Sequence, residues 1–411
     1  LEAERLDVRI YRSLESLSII VPDWQELLTG FPGATTFATP EWLVSWWRSF
    51  AEGQTLLALG LYEASRLVGL GLFSITRRQI APRIHLKVLR LMGDGSGDSD
   101  NLDIPVLPGY EQRVAAALLD YFETASRDWD FALLNTLPSN SPVGGELARQ
   151  LKTKGWANVC RQRTASAIPL PSLWVTYLSQ LTSGERKNLD RYRKRLERRY
   201  QARFHKVKLE SELPHYLEAM FRLHQERWEI RNQRGSFASP DRRRFYGEIS
   251  RLFLARGWLE LWALDLNQET VAVQFGFRYG DVVFQLQEGF SNKYSSDRVG
   301  TLLRAHVLKR LISEGITRYD FLAGNPGYKA RWGAVVGHYL DLHFARRGTR
   351  GSIYLNAVQR ARASKEWLRA NVPASVWHQI HRINCRLRGI PFNPAVSSVQ
   401  DNPKGGANPP G

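Results

Sequence analysis

The chain has 411 residues and carries 57 Lys and Arg against 40 Asp and Glu, a formal net charge of +17. Its composition, 43% hydrophobic and 24% charged, is globular, and no apolar run of about 18 residues exists to cross a bilayer. Two cysteines, Cys160 and Cys385, exclude a disulfide framework and lack the close spacing of zinc ligands, so no metal is expected.

The length predicts two domains of roughly 150 to 200 residues. The basic balance predicts anionic partners: nucleoside phosphates, acidic lipid or nucleic acid. No basic segment followed by an apolar one stands at the start, and the cytoplasm is the expected compartment.

A strand at 6–11 comes first. Leu14, Leu17, Trp24 and Leu27 then space out one or two helices broken by Pro22. Thr39 caps the next helix, with Pro40 at its first position and Glu41 in its first turn. Trp42, Leu43, Trp46, Trp47 and Phe50 give that helix a wide apolar face for the core. Strand-like runs at 56–62 and 68–75 make a hairpin around Ala64 and Ser65. A strand at 86–92 leads into a glycine and aspartate loop at 93–100 and a helix at about 111–127. A strand at 129–134, a helix near 144–154 and a strand near 157–163 complete a first domain spanning 1–165.

Residues 166–212 read as a linker with a basic helix. The stretch 185–208 holds eleven Lys or Arg against three acidic residues. Leu189, Tyr192, Leu196, Tyr200 and Phe204, at spacings of 3, 4, 4 and 4, fall on one stripe of that helix. Its basic remainder is either a solvated face or a contact for RNA, anionic lipid or a phosphorylated donor.

A second domain, 213–350, opens with a helix at 213–231 and then repeats the order of the first. A hairpin (259–266 and 271–279), a strand (282–290), a polar loop (291–298), a helix (300–314) and a short strand (319–322) end in a glycine-rich return over 323–333. This order predicts a duplicated pair of α/β domains with mixed sheets. Residues 351–390 are basic and helical, interrupted by Pro373, and 391–411 have the Pro, Gly and Asn content of a disordered tail. Trp367, Trp377 and Ile380 either pack on the second domain or rest on an anionic membrane surface.

Chemistry concentrates in the second domain. The loop Ser295-Ser296-Asp297-Arg298-Val299-Gly300-Thr301 enters a long helix directly, which offers free N–H groups to an anion such as a pyrophosphate. Arg298 adds charge and Gly300 close approach, Asp297 opposes an anion, and the plain alternative is a helix capped by Ser296 or Asp297. Groups able to take up or deliver a proton stand near one another in this half. Glu288, Asp320 and Tyr328 are the candidates at strand ends, each with a packing or salt-bridge alternative. Lys329 and Arg331 face either an anion or solvent. His224 and Glu226, two apart on a helix, share no face and make neither an acid-base pair nor a metal site.

The element order resembles the GNAT acetyltransferase fold, in which acyl-CoA lies between splayed strands with its pyrophosphate on the loop before the central helix. More narrowly, Tyr319-Asp320-Phe321-Leu322-Ala323-Gly324-Asn325-Pro326-Gly327-Tyr328-Lys329-Ala330-Arg331-Trp332-Gly333 resembles the DFLxGxxxYKxRWG ending of CelD/BcsL-type acetyltransferase-like proteins of bacterial cellulose and exopolysaccharide loci, which are related to FemAB-type aminoacyltransferases. Weaker likenesses are Phe37-Ala38-Thr39-Pro40-Glu41-Trp42-Leu43 and Leu223-His224-Gln225-Glu226-Arg227-Trp228, so that the likeness covers most of 30–345. The phosphate loop keeps only the final glycine and an arginine of the more typical pattern, and Asn325 stands where an acidic residue is common.

The resemblance implies two tandem GNAT-like domains, the first degenerate. It implies acyl-CoA at Arg298, Val299, Gly300 and Thr301, catalysis by Glu288, Tyr328 and Asp320, and acceptor contacts at Lys329, Arg331, Arg227 and Trp228. The acceptor is an amine or hydroxyl, for example a small molecule or a saccharide precursor. The alternatives are a FemAB-like transfer from aminoacyl-tRNA, which a basic stretch between the domains would suit, and a non-catalytic polysaccharide-assembly factor.

Overall fold

The computed structural model describes residues 5–229, 235–324 and 327–371, with backbone only at 227–229 and 369–370. The first half comprises β1 (Asp7–Tyr11), α1 (Leu14–Ser18), α2 (Val21–Gly30), α3 (Pro40–Phe50), β2 (Thr55–Glu63), β3 (Arg66–Ala81), β4 (Ile84–Leu91), α4 (Glu111–Thr124), β5 (Phe131–Pro138), α5 (Pro142–Thr153) and β6 (Ala157–Pro169). Then come α6 (Trp174–Gln180), α7 (Ser183–Arg199), β7 (Ala202–Lys206), α8 (Leu213–Glu229), α9 (Pro240–Ala255), β8 (Leu259–Leu266), β9 (Glu269–Tyr279) and β10 (Val282–Phe290). α10 (Val299–Ser313), β11 (Arg318–Ala323), β12 (Val335–Ala345) and α11 (Arg350–Asn371) follow.

All the strands join one mixed sheet in the order β1-β2-β3-β4-β5-β12-β6-β11-β10-β9-β8-β7. Each half supplies five strands in sequence, the fourth and fifth of each pairing in parallel (β4 with β5, β10 with β11). The sixth strands are exchanged. β12 of the second half pairs with β5, β6 of the first half pairs with β11, and the two meet along their whole overlap from Val335↔Ala167 to Ala345↔Ala157. The halves thus repeat one order of strands and are welded at the β12–β6 seam by backbone hydrogen bonds.

A second mark of the duplication stands 200 residues apart. Phe37-Ala38-Thr39-Pro40-Glu41 and Phe237-Ala238-Ser239-Pro240-Asp241 both form a short 3-10 turn and a capped helix start. The Thr39 hydroxyl accepts from Trp42 N at 3.3 Å and the Ser239 hydroxyl from Arg242 N at 3.4 Å. The two helices so begun, α3 and α9, pack on each other, with the Trp42 and Phe245 rings edge to face at 5.0 Å and Glu248 accepting from Ser45 and Arg48.

The sequence expectation for 185–208 needs one correction. The helix ends at Arg199, Tyr200 is extended, and Ala202–Lys206 is the edge strand β7 paired with β8. A spacing of four puts residues on one face in a strand as in a helix, so Tyr200 and Phe204 still pack on the same cluster as Leu189 and Tyr192. The helix α9, the strand β12 and the short helix α6 had no sequence expectation. Trp377, Ile380, Cys385, the Pro373 interruption and the 391–411 tail lie outside the described residues. Among the described residues no helix is long and apolar enough to cross a membrane, and no group of three or more His, Cys, Asp or Glu is placed to hold a metal.

Candidate active site

The site begins where two parallel strands part. β10 and β11 pair only at Val282↔Arg318, Val283↔Tyr319 and Phe284↔Asp320, whereas β10 stays with β9 as far as Phe290↔Ala272, with an irregularity between Gln285 and Gln287. A bulge re-aims the strand, opening a wedge between the second half of β10 and the end of β11.

Side chains hold the freed end of β11. Leu322 takes a positive φ of 60°, its N–H bonds Asp320 Oδ1 at 2.8 Å, and the N–H of Ala323 bonds Asp100 Oδ2 at 3.0 Å. Lys329 is 3% exposed, and its Nζ donates to the carbonyls of Phe321, Leu322 and Ala323 at 3.3, 3.1 and 3.4 Å. Such a cation satisfies carbonyls that the parting of the sheet leaves without ladder partners. Asp320 is buried against Arg318 (2.8 Å), and burial pushes its carboxyl up while Arg318 pulls it down.

On the α10 face of the wedge lies a polar cluster. Gln274 and Glu288 sit opposite each other on β9 and β10, and Gln274 donates to the Tyr319 hydroxyl at 2.7 Å. Arg304, 5% exposed on α10, reaches into the wedge and pairs with Glu288. Its guanidinium is ringed by Phe321, Tyr328 and Trp332 at 5.3, 5.7 and 5.4 Å. Burial pushes the Tyr319 hydroxyl far up, so it stays a neutral phenol here. Tyr328, by contrast, is 48% exposed at the rim.

At the far end of the wedge is the start of α10. The first intrahelical bond runs from Leu302 N to Arg298 O at 3.0 Å, which leaves the N–H groups of Val299, Gly300 and Thr301 with no acceptor inside the helix. Arg298 is the residue before the helix, at φ 56° and ψ 39°, and no side chain caps the end. Neither Ser296 nor Asp297 is the cap. Asp297 turns instead toward α7, accepting from Arg199 at 3.2 Å and from Tyr200 at 3.1 Å, and pairing with Arg195 at 3.2 Å. The carboxylate expected to repel an anion therefore carries its own counter-charge. Arg191 first and Arg298 further on draw the Tyr192 hydroxyl below the ordinary tyrosine range, a sign of positive potential here. A Cβ on Gly300 would sit 2.9 Å from the Phe290 ring, so the glycine lets the helix start approach β10.

The structure thus brings Glu288 and Tyr328 together around Arg304, with Arg298, Val299, Gly300 and Thr301 at the end of the wedge; Lys329 holds the end of β11, and Asp320, next to Tyr319 on that strand, turns to the opposite face, onto Arg318 and the N–H of Leu322. Arg331 is exposed in a 3-10 turn beside it. The side chains of Arg227 and Trp228 lie outside the described residues, as does Asn325. His224 is buried edge to face on Phe237 at 4.9 Å, a packed histidine. Sequence reasoning missed Arg304, Gln274 and the pairing of Asp297 with α7. The signal for Arg304 was present: a cation on the buried stripe of Val307, Leu308 and Leu311 has to find a partner.

Residues 183–330 match the family model described as an acetyltransferase (GNAT) domain. No curated protein sequence matches the chain. Among solved structures, FemX superposes with a TM-score of 0.57 at 11% identity, covering 79% of this chain and 96% of that one. A conserved protein of unknown function from Bacteroides thetaiotaomicron gives a TM-score of 0.50 at 12% identity, covering 79% of this chain and 97% of that one. At such identities the likeness speaks for fold alone. The chain is thus an α/β protein of two similarly ordered halves, and the stretch similar to acetyltransferase (GNAT) domains, 183–330, falls on the second.

Proposed function

We propose that the second half, residues 213–350, transfers an acyl group from acyl-CoA to an amine or hydroxyl acceptor, and that the first half, 1–165, is a structural partner. One observation carries this reading: β10 and β11 part beside an uncapped helix start whose nearby carboxylate is already neutralised by Arg195 and Arg199. Backbone N–H groups and the positive helix end suit a pyrophosphate, and the wedge would take the extended arm of the donor.

In this reading the acceptor nitrogen attacks the thioester carbonyl, a C–N bond forms and the C–S bond breaks. Glu288, oriented by Arg304, takes the proton of the acceptor. Tyr328 at the rim gives one to the departing thiolate. Asp320 and Lys329 hold the end of β11 in place, and Arg331 meets the acceptor. A saccharide acceptor of envelope or exopolysaccharide synthesis rests on the 319–333 motif.

A second reading, transfer from aminoacyl-tRNA, is favoured by α7, whose exposed Arg191, Arg193, Lys194 and Arg198 lie next to the same helix start. Competition separates the two. Thermal shift with CoA and acetyl-CoA, run beside filter retention of purified tRNA across a salt series, is expected to show a CoA-dependent rise in melting temperature. Steeply salt-sensitive tRNA retention without any CoA effect would hand the site to the second reading.

A further inference from the structure

Away from the wedge, α11 leaves the body of the protein. Its first turns are seated: Tyr354 lies 5.1 Å from Phe131, and Leu355 belongs to a buried cluster with Leu86, Val88 and Ala345, against which Ile80 also packs. After Gln359, which accepts from Arg161 at 3.1 Å, residues 360–367 are all exposed. Ile353 and Trp367, 68% and 64% exposed, are fourteen residues apart and fall on one outward face.

The β3–β4 hairpin rises beside those first turns. Along β4, Ile84, Leu86 and Val88 point to one face; the inner two are buried with α11, and Ile84 is 49% exposed. Arg78 stands opposite Leu86, on that same face. Among the described residues no carboxylate is within ion-pair reach of Arg77, Arg78, Arg83, Arg360, Arg362 or Lys365.

We propose that α11 and the β3–β4 hairpin form a docking surface for an anionic phospholipid bilayer. Unpaired basic side chains complement the lipid headgroups, and a Trp with two exposed Ile residues supplies the apolar tips that sit at the boundary of headgroup and acyl chain. A nucleic acid would use the charges but has no need of aliphatic tips. The surface lies at the outer part of the first half, so it owes nothing to acyl transfer and stands or falls independently of it.

The test is co-flotation of the full chain with phosphatidylglycerol-rich vesicles and with pure phosphatidylcholine vesicles. Binding to the former alone, weakening as salt rises, is expected. Arg360→Glu, which reverses the charge on the face shared by Ile353 and Trp367, should lower the partition coefficient by more than tenfold, at roughly fivefold per unit of charge near an anionic surface. Trp367→Ser and Ile84→Ser should each lower it several-fold. All these positions are exposed, so unchanged melting temperatures are expected. Should one variant misfold, Arg78→Ser probes the same surface on a different element. Absence of binding to phosphatidylglycerol, or binding indifferent to both elements, overturns the proposal. So does loss of RNA retention in these variants without any vesicle binding.

Discussion

Arg304 and Glu288 form an asymmetric pair: the arginine side chain is 6% exposed and the glutamate 22%. Removing the glutamate strands a buried cation, whereas replacing the arginine by an apolar residue of similar length leaves a carboxylate that water can reach. Glu288→Ala is therefore expected to cost about 3 kcal/mol in chemical denaturation, and Arg304→Met much less. Equal losses would show that packing against the three rings, not charge, is what Arg304 contributes. Asp103 gives a test in pH. Burial pushes its carboxyl up to about 7, although it accepts from Ser141 and from Ile104 N. The folded state then holds a proton that the unfolded chain releases near its ordinary value of 3.8, so the contribution of Asp103 to stability falls as pH rises from about 4 to about 7. Asp103→Asn should flatten that slope in urea titrations at several pH values, and an unchanged slope would assign it to other groups.

Among the elements, those with strong local signals were legible in the sequence: the Thr39 cap with Pro40, both hairpins, the strand at 282–290 and the central helix α10. What escaped was set by partners distant in the chain. β12 shows no regular alternation, because Val335, Val336, Gly337 and His338 are exposed on both faces before Tyr339 enters the core. β7 looked helical because a spacing of four serves both periods. The repeated Phe-Ala-Thr/Ser-Pro-acid start of α3 and α9 was written in the sequence, yet only their mutual packing makes it conspicuous. The site was partly legible. Residue types at strand ends pointed to Glu288 and Tyr328, but the neutralisation of Asp297 depends on α7 folding back over the loop. Ser239→Ala should cost about 1 kcal/mol through the lost cap, as should Thr39→Ala. Arg242→Ala should cost about 3 to 5 kcal/mol, because it leaves the buried Asp98, 2.9 Å away, without its cation. Denaturant midpoints for the three variants check that order, and a loss at Arg242 no larger than at the caps would contradict it.

At the scale of the molecule, the exchange of β6 and β12 decides how the halves behave. β6 lies between β11 and β12, so a chain beginning at residue 170 would leave long unpaired strand edges in the second half. Such a fragment is expected to aggregate on expression while the full chain stays soluble in gel filtration, and a monomeric, folded fragment would show that the seam is dispensable. If, as proposed, the first half is only a structural partner, the same exchange makes it indispensable to the second. The central claim is that the wedge beside Gly300 takes an acyl-CoA. Titration calorimetry of the full chain with acetyl-CoA tests it most directly. One site per chain with affinity tighter than millimolar is predicted, weakened about tenfold by Arg195→Ala, which removes one of the two arginines paired with Asp297, and little changed by Arg12→Ala on the far side of the first half. No heat at millimolar acetyl-CoA, or binding that ignores Arg195, would contradict it.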